Sequence, residues 1–188
     1  MKRTAIIVAI IVIAVIVGYL YEFVSIKLEE RAHPLKYQDF VDKYSSEYGV
    51  PKEIVYSVIN VESGFNPAAE SPKGALGLMQ ITPDTFDWLM TKTGEEHNVK
   101  LLYDPETNIK YGTFFLRLLF VEFENWDLSF AAYNAGRSRV KHDWMNNPEY
   151  IKDGEIIHIP FKETSDYIVK VNRNKDVYKR LYFNDNIK

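Results

Sequence analysis

The sequence predicts a mainly α-helical domain with little β-structure, preceded by one apolar N-terminal helix. An unbroken run of 17 apolar or weakly polar residues extends from Ala5 to Tyr21. After it, apolar residues recur at helical spacing in segments separated by glycine and proline. The only strand-like segment, residues 156–161, contains a proline that limits it to an edge or an extended loop. These patterns predict six or seven short helices in the domain.

The apolar run has the features of an uncleaved membrane anchor. It lies at the short end of membrane-spanning lengths and is longer than most signal-peptide cores. No small-x-small cleavage site follows it, and Lys2 and Arg3 precede it while Glu22 follows, which keeps the N-terminus in the cytoplasm. A cleaved signal peptide is the alternative. We predict a cytoplasmic N-terminus at 1–4, a transmembrane signal anchor at 5–24, a stalk at 25–36 and an exported domain at 37–188.

The composition of the exported part excludes several classes of function. Residues 37–188 carry 18 basic and 23 acidic residues, a net charge of −5, and show no basic face, which argues against a nucleic-acid partner. The chain has no cysteine, and therefore no disulfide framework, thiol nucleophile or thiolate metal site. Its four histidines lack metal-ligand spacing such as His-x-x-x-His. We therefore predict no metal site.

The first two helices of the domain are predicted from apolar spacing and end signals. Residues 37–48 place their apolar side chains on one side, and Gly49 ends that helix. A second helix is predicted over about residues 51–63, because proline suits its first turn and glycine follows its end. Residues 64–81 contain two prolines and three glycines, which prevent a continuous helix and predict an ordered loop.

The later helices are predicted from their start signals. Residues 82–84 and 104–106 each place a capping side chain before a first-turn proline. The start signal at residues 104–106 begins an apolar helix that we expect to be central and buried. Asp127 is predicted to cap a helix that runs through Asn134, and a last helix is predicted over about residues 165–182.

Glu62 lies on the apolar face of the predicted 51–63 helix. At roughly 100° per residue, the apolar stripe that begins at Ile54 covers one face, and Glu62 falls near its middle. A carboxyl group there, close to the negative end of the helix dipole, is pushed towards its protonated form. A general acid that works near neutral pH requires this. The alternative is a glutamate that reaches into solvent from a frayed helix end.

Four segments occur in order along the chain. They are Glu62-Ser-Gly-Phe-Asn-Pro67, Ser71-Pro-Lys-Gly-Ala-Leu-Gly-Leu-Met-Gln80, Ala131-Ala-Tyr-Asn-Ala-Gly136, and Ile159-Pro-Phe-Lys-Glu-Thr164 with Tyr167. Together they resemble the catalytic domain of the soluble lytic transglycosylase family, which is related to goose-type lysozyme. The resemblance covers residues 37–188 and implies a lysozyme-like fold. The turn Arg137-Ser-Arg139 departs from the glycine- or proline-containing turn that is more usual in the family.

The resemblance implies an activity on peptidoglycan glycan strands. Glu62 would be the only catalytic carboxylic acid in cleavage of the β-1,4 bond between N-acetylmuramic acid and N-acetylglucosamine. It would protonate the glycosidic oxygen and then deprotonate the C6 hydroxyl, which closes a 1,6-anhydro ring. This mechanism would need no metal and no cofactor. Ser71 would polarise a substrate or intermediate group, and Gln80 would line the sugar groove. A hydrolytic muramidase, a non-catalytic wall-binding module and a membrane protein with a partner-binding domain remain alternatives.

Five further residues receive substrate-binding roles from the resemblance. Met79 would pack against the saccharide, while Tyr133 and Asn134 would face the glutamate. Glu163 and Tyr167 would complete the groove floor, Glu163 in a structural or orienting role. From the residues alone, Met79 and Tyr133 as core residues and Asn134 as a helix C-cap remain alternatives.

Three other positions are interpreted as structural. Asn108 fits a family motif, and we interpret it as a structural residue. Gly74 and Gly77 are interpreted as devices of backbone conformation rather than as contacts.

Overall fold

The structure, a computed structural model, describes the backbone of residues 2–184 and the side chains of residues 6, 7 and 10–184. The chain divides between Pro34 and Leu35 into an N-terminal unit and a second unit that holds the core. The side chains of Lys2 and Arg3, on which the predicted topology depends, lie outside the described residues, as do residues 185–188 of the predicted domain.

The N-terminal unit is one helix, α1, at Lys2–Ala32. Among the described residues, Ile10–Ala32 is long and apolar enough to cross a membrane. A signal anchor and a signal peptide both satisfy this length and composition. The helix continues through residues 25–32, so the first part of the predicted stalk is helical.

The second unit is mainly helical. The bounds of its α-helices are α2 Gln38–Tyr48, α3 Lys52–Ser63, α4 Pro83–Thr93, α5 Pro105–Phe123, α6 Trp126–Ala135, α7 Arg137–Arg139 and α8 Lys162–Tyr182. A 3-10 turn at Val99–Tyr103 and a π-helical turn at Val140–Trp144 connect some of them. Two-residue strands β1 Ile151–Lys152 and β2 Glu155–Ile156 form an antiparallel hairpin. The predicted fold class is confirmed.

Most helix ends follow the predicted signals. Gly49 and Gly64 end α2 and α3 in the left-handed region, with φ of 66° and 57°, which glycine adopts at no steric cost. The Thr82 side chain accepts from the Thr85 N–H to cap α4. The Asp104 side chain caps α5 in the same way.

The predicted N-terminal ends of α6 and α8 are wrong. Asn125, not Asp127, caps α6, since its Oδ1 accepts from the backbone N–H groups of Asp127 and Leu128 at 2.8 and 3.1 Å. Asp127 therefore lies in the first turn, where a carboxylate faces the positive end of the helix dipole. Helix α8 begins at Lys162, three residues before the predicted Ser165.

The strand prediction is correct only in part. Within 156–161, only Ile156 joins a strand, where it pairs with Ile151 of the unpredicted β1. Residues 157–161 run without regular structure into α8. Pro160 lacks the N–H group that a strand ladder needs.

Helix α5 is the central buried helix, packed against α2 and α6, while α3 packs against α8. It also fixes the loop 64–81 through Asn108, which is fully buried. The Asn108 Oδ1 accepts from the Met79 N–H at 2.7 Å, and its Nδ2 donates to the carbonyls of Leu76 and Leu102 at 2.9 and 2.7 Å. A Cβ on Gly77 would lie 2.1 Å from the Leu102 carbonyl oxygen. The structural interpretation of Asn108 and Gly77 is confirmed.

Candidate active site

Glu62 lies in the last turn of α3 and opens into a cavity of about 420 Å³. Its side chain is half-buried, and the apolar stripe of α3 that includes Ile59 packs into the core beside it. The cavity brings together six of the eight predicted site residues. They are Glu62, Ser71, Gln80, Tyr133, Asn134 and Glu163.

The Glu62 carboxyl group is held near its protonated form. Burial raises its pKa from 4.5 to about 7, because the charged form loses solvation. Contact with the Tyr167 hydroxyl is the opposing influence and lowers this pKa. That hydroxyl is itself buried and makes no well-aligned hydrogen bond to a described residue. It therefore serves as a weak donor beneath the carboxyl group.

Ser71 and Gln80 lie on the 64–81 loop, and hydrogen bonds fix both side chains. The Ser71 Oγ accepts from the Ala75 N–H at 3.0 Å, which leaves its own hydroxyl proton free to donate. The Gln80 Nε2 donates to the carbonyls of Ala69 and Gly77 at 3.1 and 2.9 Å. The cavity thus receives a hydroxyl donor from Ser71 and the Gln80 Oε1 as an acceptor.

Asn134 and Glu163 also line the cavity. The Asn134 Oδ1 accepts from the Thr164 hydroxyl at 2.8 Å, so its amide N–H groups remain available to a ligand. Gly136 occupies the C-cap position of α6, so the C-cap alternative for Asn134 is wrong. The Glu163 side chain is 70% exposed and forms an ion pair with Lys73 at 3.1 Å.

Two predicted substrate contacts require correction. The Met79 side chain is fully buried and packs so closely on Gly112 that a Cβ there would lie 2.3 Å from its sulfur. It cannot pack against a saccharide, and its carbonyl instead accepts from the Tyr133 hydroxyl at 2.7 Å. Tyr167 is 6% exposed and lies beneath Glu62 rather than on the cavity surface.

Sequence reasoning missed Lys73 and Thr82, which also line the cavity. Lys73 lies two residues after Ser71, so position on the loop was an available signal. Its ion pair with Glu163 joins residues 90 positions apart, and no sequence pattern indicates that contact.

Two further cavities adjoin that of Glu62. One of about 430 Å³ is lined by Trp88, Phe115 and Arg137 and shares Tyr133 with it. A smaller one of about 300 Å³ shares three lining residues with it, as described below. A larger cavity of about 500 Å³ beside α4 contains none of the predicted site residues. Among the described residues, no group of three or more histidine, aspartate or glutamate side chains is placed to hold a metal ion.

Comparison with known proteins identifies the family of this chain. The family model described as Transglycosylase SLT domain matches residues 39–155. The chain belongs to the transglycosylase SLT domain family. It is 37% identical, over 186 residues, to the soluble lytic murein transglycosylase of Escherichia coli strain K12, and the match covers 92% of this chain and 26% of that protein.

Two other members illustrate the breadth of the SLT family. The membrane-bound lytic murein transglycosylase C of Yersinia pestis is 32% identical over 196 residues, covering 86% of this chain and 52% of that protein. The crystal structure of the 70 kDa soluble lytic transglycosylase from Escherichia coli superposes with a TM-score of 0.73 at 33% identity, covering 84% of this chain and 26% of that one. The chain thus spans about a quarter of the length of the soluble relatives.

Proposed function

We propose that this chain is a lytic transglycosylase that cleaves the β-1,4 bond between N-acetylmuramic acid and N-acetylglucosamine in peptidoglycan. The observation that carries the proposal is the environment of Glu62. Its pKa is about 7, and it opens into a cavity whose other lining carboxylate among the described residues, Glu163, is exposed and paired with Lys73. Membership of the SLT family supports the same activity.

The first step is proton donation by Glu62. The protonated carboxyl group gives its proton to the glycosidic oxygen as the bond from that oxygen to C1 of the muramic acid breaks. The N-acetylglucosamine portion leaves with a neutral hydroxyl group. The acetamido group of the muramic acid stabilises the positive charge at C1. We assign to the Ser71 hydroxyl, whose oxygen accepts from the Ala75 N–H and whose proton is free, a hydrogen bond to the carbonyl oxygen of that acetamido group.

The second step returns the proton to Glu62. The Glu62 carboxylate accepts the proton of the C6 hydroxyl, and that oxygen bonds to C1 to close a 1,6-anhydro ring. Glu62 is then protonated for the next cycle, and no water is consumed. The internal hydroxyl is already close to C1, which replaces a bimolecular attack with an intramolecular one.

A single carboxylate is sufficient for this route. Most glycosidases place a second carboxylate at the site, to act as a nucleophile or to activate water. Here Glu163 is held at the exposed rim by Lys73, where it orients neighbouring groups. We assign substrate binding to Ser71, Gln80 and Asn134, and we assign to Tyr167 the positioning of the Glu62 carboxyl group.

We further propose that residues 37–188 act outside the cytoplasm while residues 5–24 anchor the chain in the membrane. The apolar α1 supports this arrangement. A relative in Yersinia pestis that is called membrane-bound shows that membrane attachment occurs within the family.

Mass spectrometry of the products tests the proposed reaction. The full chain in detergent, incubated with purified peptidoglycan, should release muropeptides that end in 1,6-anhydromuramic acid and are lighter by one water than hydrolytic products. Reducing-end products as the main species would assign the chain to the muramidases. Binding to peptidoglycan without cleavage would assign it to the wall-binding modules.

A further inference from the structure

Arg139 lines both of the cavities that adjoin the Glu62 cavity, one of about 430 Å³ and one of about 300 Å³. The smaller of these shares Lys73, Asn134 and Glu163 with the cavity of Glu62. A group held by Arg139 is therefore next to a sugar that occupies the Glu62 cavity.

Arg139 is the one cation of the small cavity without a carboxylate partner among the described residues. Lys73 pairs with Glu163 at 3.1 Å, and Lys162 pairs with Asp166 at 2.6 Å. Arg137, on the same turn, is also neutralised, because its guanidinium pairs with Glu122. The positive charge of Arg139 is thus uncompensated, although the domain as a whole is acidic.

The Arg139 guanidinium is nonetheless held in place. Its Nη1 donates to the Ala135 carbonyl at 2.8 Å, which anchors it to the end of α6. Its centre lies 5.2 Å from the centroid of the Phe161 ring, at a distance typical of cation–π contact. Both side chains are exposed, so the remaining N–H donors face solvent and the cavity. A pre-oriented guanidinium of this kind is suited to bidentate binding of a carboxylate.

We propose that Arg139 binds a carboxylate carried on the lactyl side chain of the muramic acid that occupies the Glu62 cavity. This inference rests on the proposed function, since it assumes that a muramic acid lies at Glu62. The carboxylate has two possible sources, which are the peptide stem joined to the lactyl group and the free lactyl carboxylate of a stem-free sugar. One extended residue spans roughly 3.5 Å, so a carboxylate of either source lies within reach of a cavity adjoining the sugar. Arg139 then determines substrate preference and takes no part in bond cleavage.

Equilibrium binding tests the inference independently of turnover. The full chain in detergent, carrying Glu62→Gln to prevent cleavage, is titrated calorimetrically with three tetrasaccharides that contain muramic acid. The first bears native peptide stems, the second bears stems whose carboxylates have been converted to amides, and the third bears no stem. Arg139→Gln and the control Arg173→Gln, an exposed arginine of α8, are added to this background.

If the stem carries the carboxylate, Arg139→Gln should weaken binding of the native ligand about tenfold and remove its advantage over the amidated ligand. If the lactyl group carries it, Arg139→Gln should weaken binding of the stem-free ligand about tenfold and leave the other two unchanged, because the lactyl carboxylate is an amide in a ligand that bears stems. Arg173→Gln should change none of these affinities. Equal weakening for the native and amidated ligands, or no weakening of either the native or the stem-free ligand, would overturn the proposal.

If Arg139→Gln fails to fold, the chain that retains Arg139 is titrated with the native and amidated ligands, and with the stem-free ligand and its lactyl amide. Equal affinities within both pairs would overturn the proposal. If the chain that retains Glu62 binds the native ligand but does not cleave it, the proposed function is rejected and the proposed role of Arg139 in binding is not.

Discussion

Glu62 combines partial burial with access to a cavity, and both are needed for an acid that works near neutral pH. We expect Glu62→Gln to lower turnover of peptidoglycan by about 10²- to 10⁴-fold, because the amide keeps the shape of the side chain and cannot transfer the proton. Glu163→Gln is the matched control at the exposed rim and should lose less activity. Turnover of both variants is measured on the same peptidoglycan. Greater damage from Glu163→Gln would exclude Glu62 as the catalytic acid.

The raised pKa of Glu62 also predicts how activity depends on pH. Proton donation needs the protonated form, whose fraction decreases as pH rises through about 7. We therefore expect single-turnover rates to fall about tenfold per pH unit well above pH 7. Single-turnover rates measured from pH 3.5 to pH 9 check this. A decline that begins near pH 4.5 would show that burial does not raise the pKa of the acid.

The same pKa makes the stability of the folded chain depend on pH. Below about pH 4.5 Glu62 is protonated in both the folded and the unfolded chain. Between 4.5 and 7 the folded chain keeps a proton that the unfolded chain releases, so the free energy of unfolding decreases as pH rises. The full cost, present above pH 7, is about 3 kcal/mol, because the pKa values of 4.5 and about 7 differ by roughly 2.5 units.

Glu62→Gln removes this cost. Its Tm should exceed that of the unsubstituted chain by several degrees at pH 8, and this gain should shrink at pH 4, where neither side chain is charged. Thermal unfolding of the full chain in detergent at both values measures the difference. An equal gap at pH 4 and pH 8 would show that the charge of Glu62 carries no such cost.

For individual residues, the sequence predicts the position of Glu62 on its helix. It does not predict how deeply the side chains of Met79 and Tyr167 are buried. The helical period puts Glu62 on the apolar stripe of α3, and the family resemblance favours a catalytic acid over a glutamate that reaches into solvent. The roles of Met79 and Tyr167 come from family resemblance, and burial corrects both. Their depth depends on how α5 and α8 pack, through contacts such as that between Met79 and Gly112, and no local pattern encodes such contacts.

At the scale of elements, the loop 64–81 owes its shape to one side chain of α5. Asn108 binds one N–H and two carbonyl groups of this loop and of the 3-10 turn. Asn108→Ala leaves the Met79 N–H and the Leu102 carbonyl without the partner that Asn108 supplies, and each such buried group costs about 1–3 kcal/mol. The Leu76 carbonyl loses one of its two donors and keeps the Ile81 N–H at 3.1 Å. We expect a loss of about 3 kcal/mol or more in the free energy of unfolding, with weaker catalysis because Ser71 and Gln80 lie on this loop.

Denaturant unfolding of the Asn108→Ala variant measures the loss. Asn146→Ala is the matched control, since the Asn146 amide makes one exposed hydrogen bond, to the His142 carbonyl at 3.2 Å. Comparable stability of the two variants would show that the Asn108 hydrogen bonds do not hold the loop.

Helix ends show which parts of an element can be predicted. Thr82 and Asp104 each precede a first-turn proline, and two signals at adjacent positions define a start. Near α6, Asn125 and Asp127 are both good capping residues, and only the path of the chain into the helix selects Asn125. The start of α8 lacks a side-chain cap, which explains why spacing alone placed it three residues too late.

At the scale of the whole molecule, the second unit carries the fold of a family whose named members are both soluble and membrane-bound. In this chain α1 belongs to a unit of its own, and its residues Ile10–Ala32 are long and apolar enough to cross a membrane. Charges at the two ends of its apolar run, and not the catalytic domain, are expected to set its orientation.

The final prediction concerns that orientation. In intact cells stripped of their wall, protease added outside should degrade residues 37–188, and alkaline washing should leave the full chain in the membrane. Lys2→Glu combined with Arg3→Glu removes the positive charge before the apolar run and should reduce protease access, whereas Lys27→Glu combined with Arg31→Glu, after the run, should not. Release into the medium of a protein that lacks residues 1–25 would show instead that the apolar run is a cleaved signal peptide.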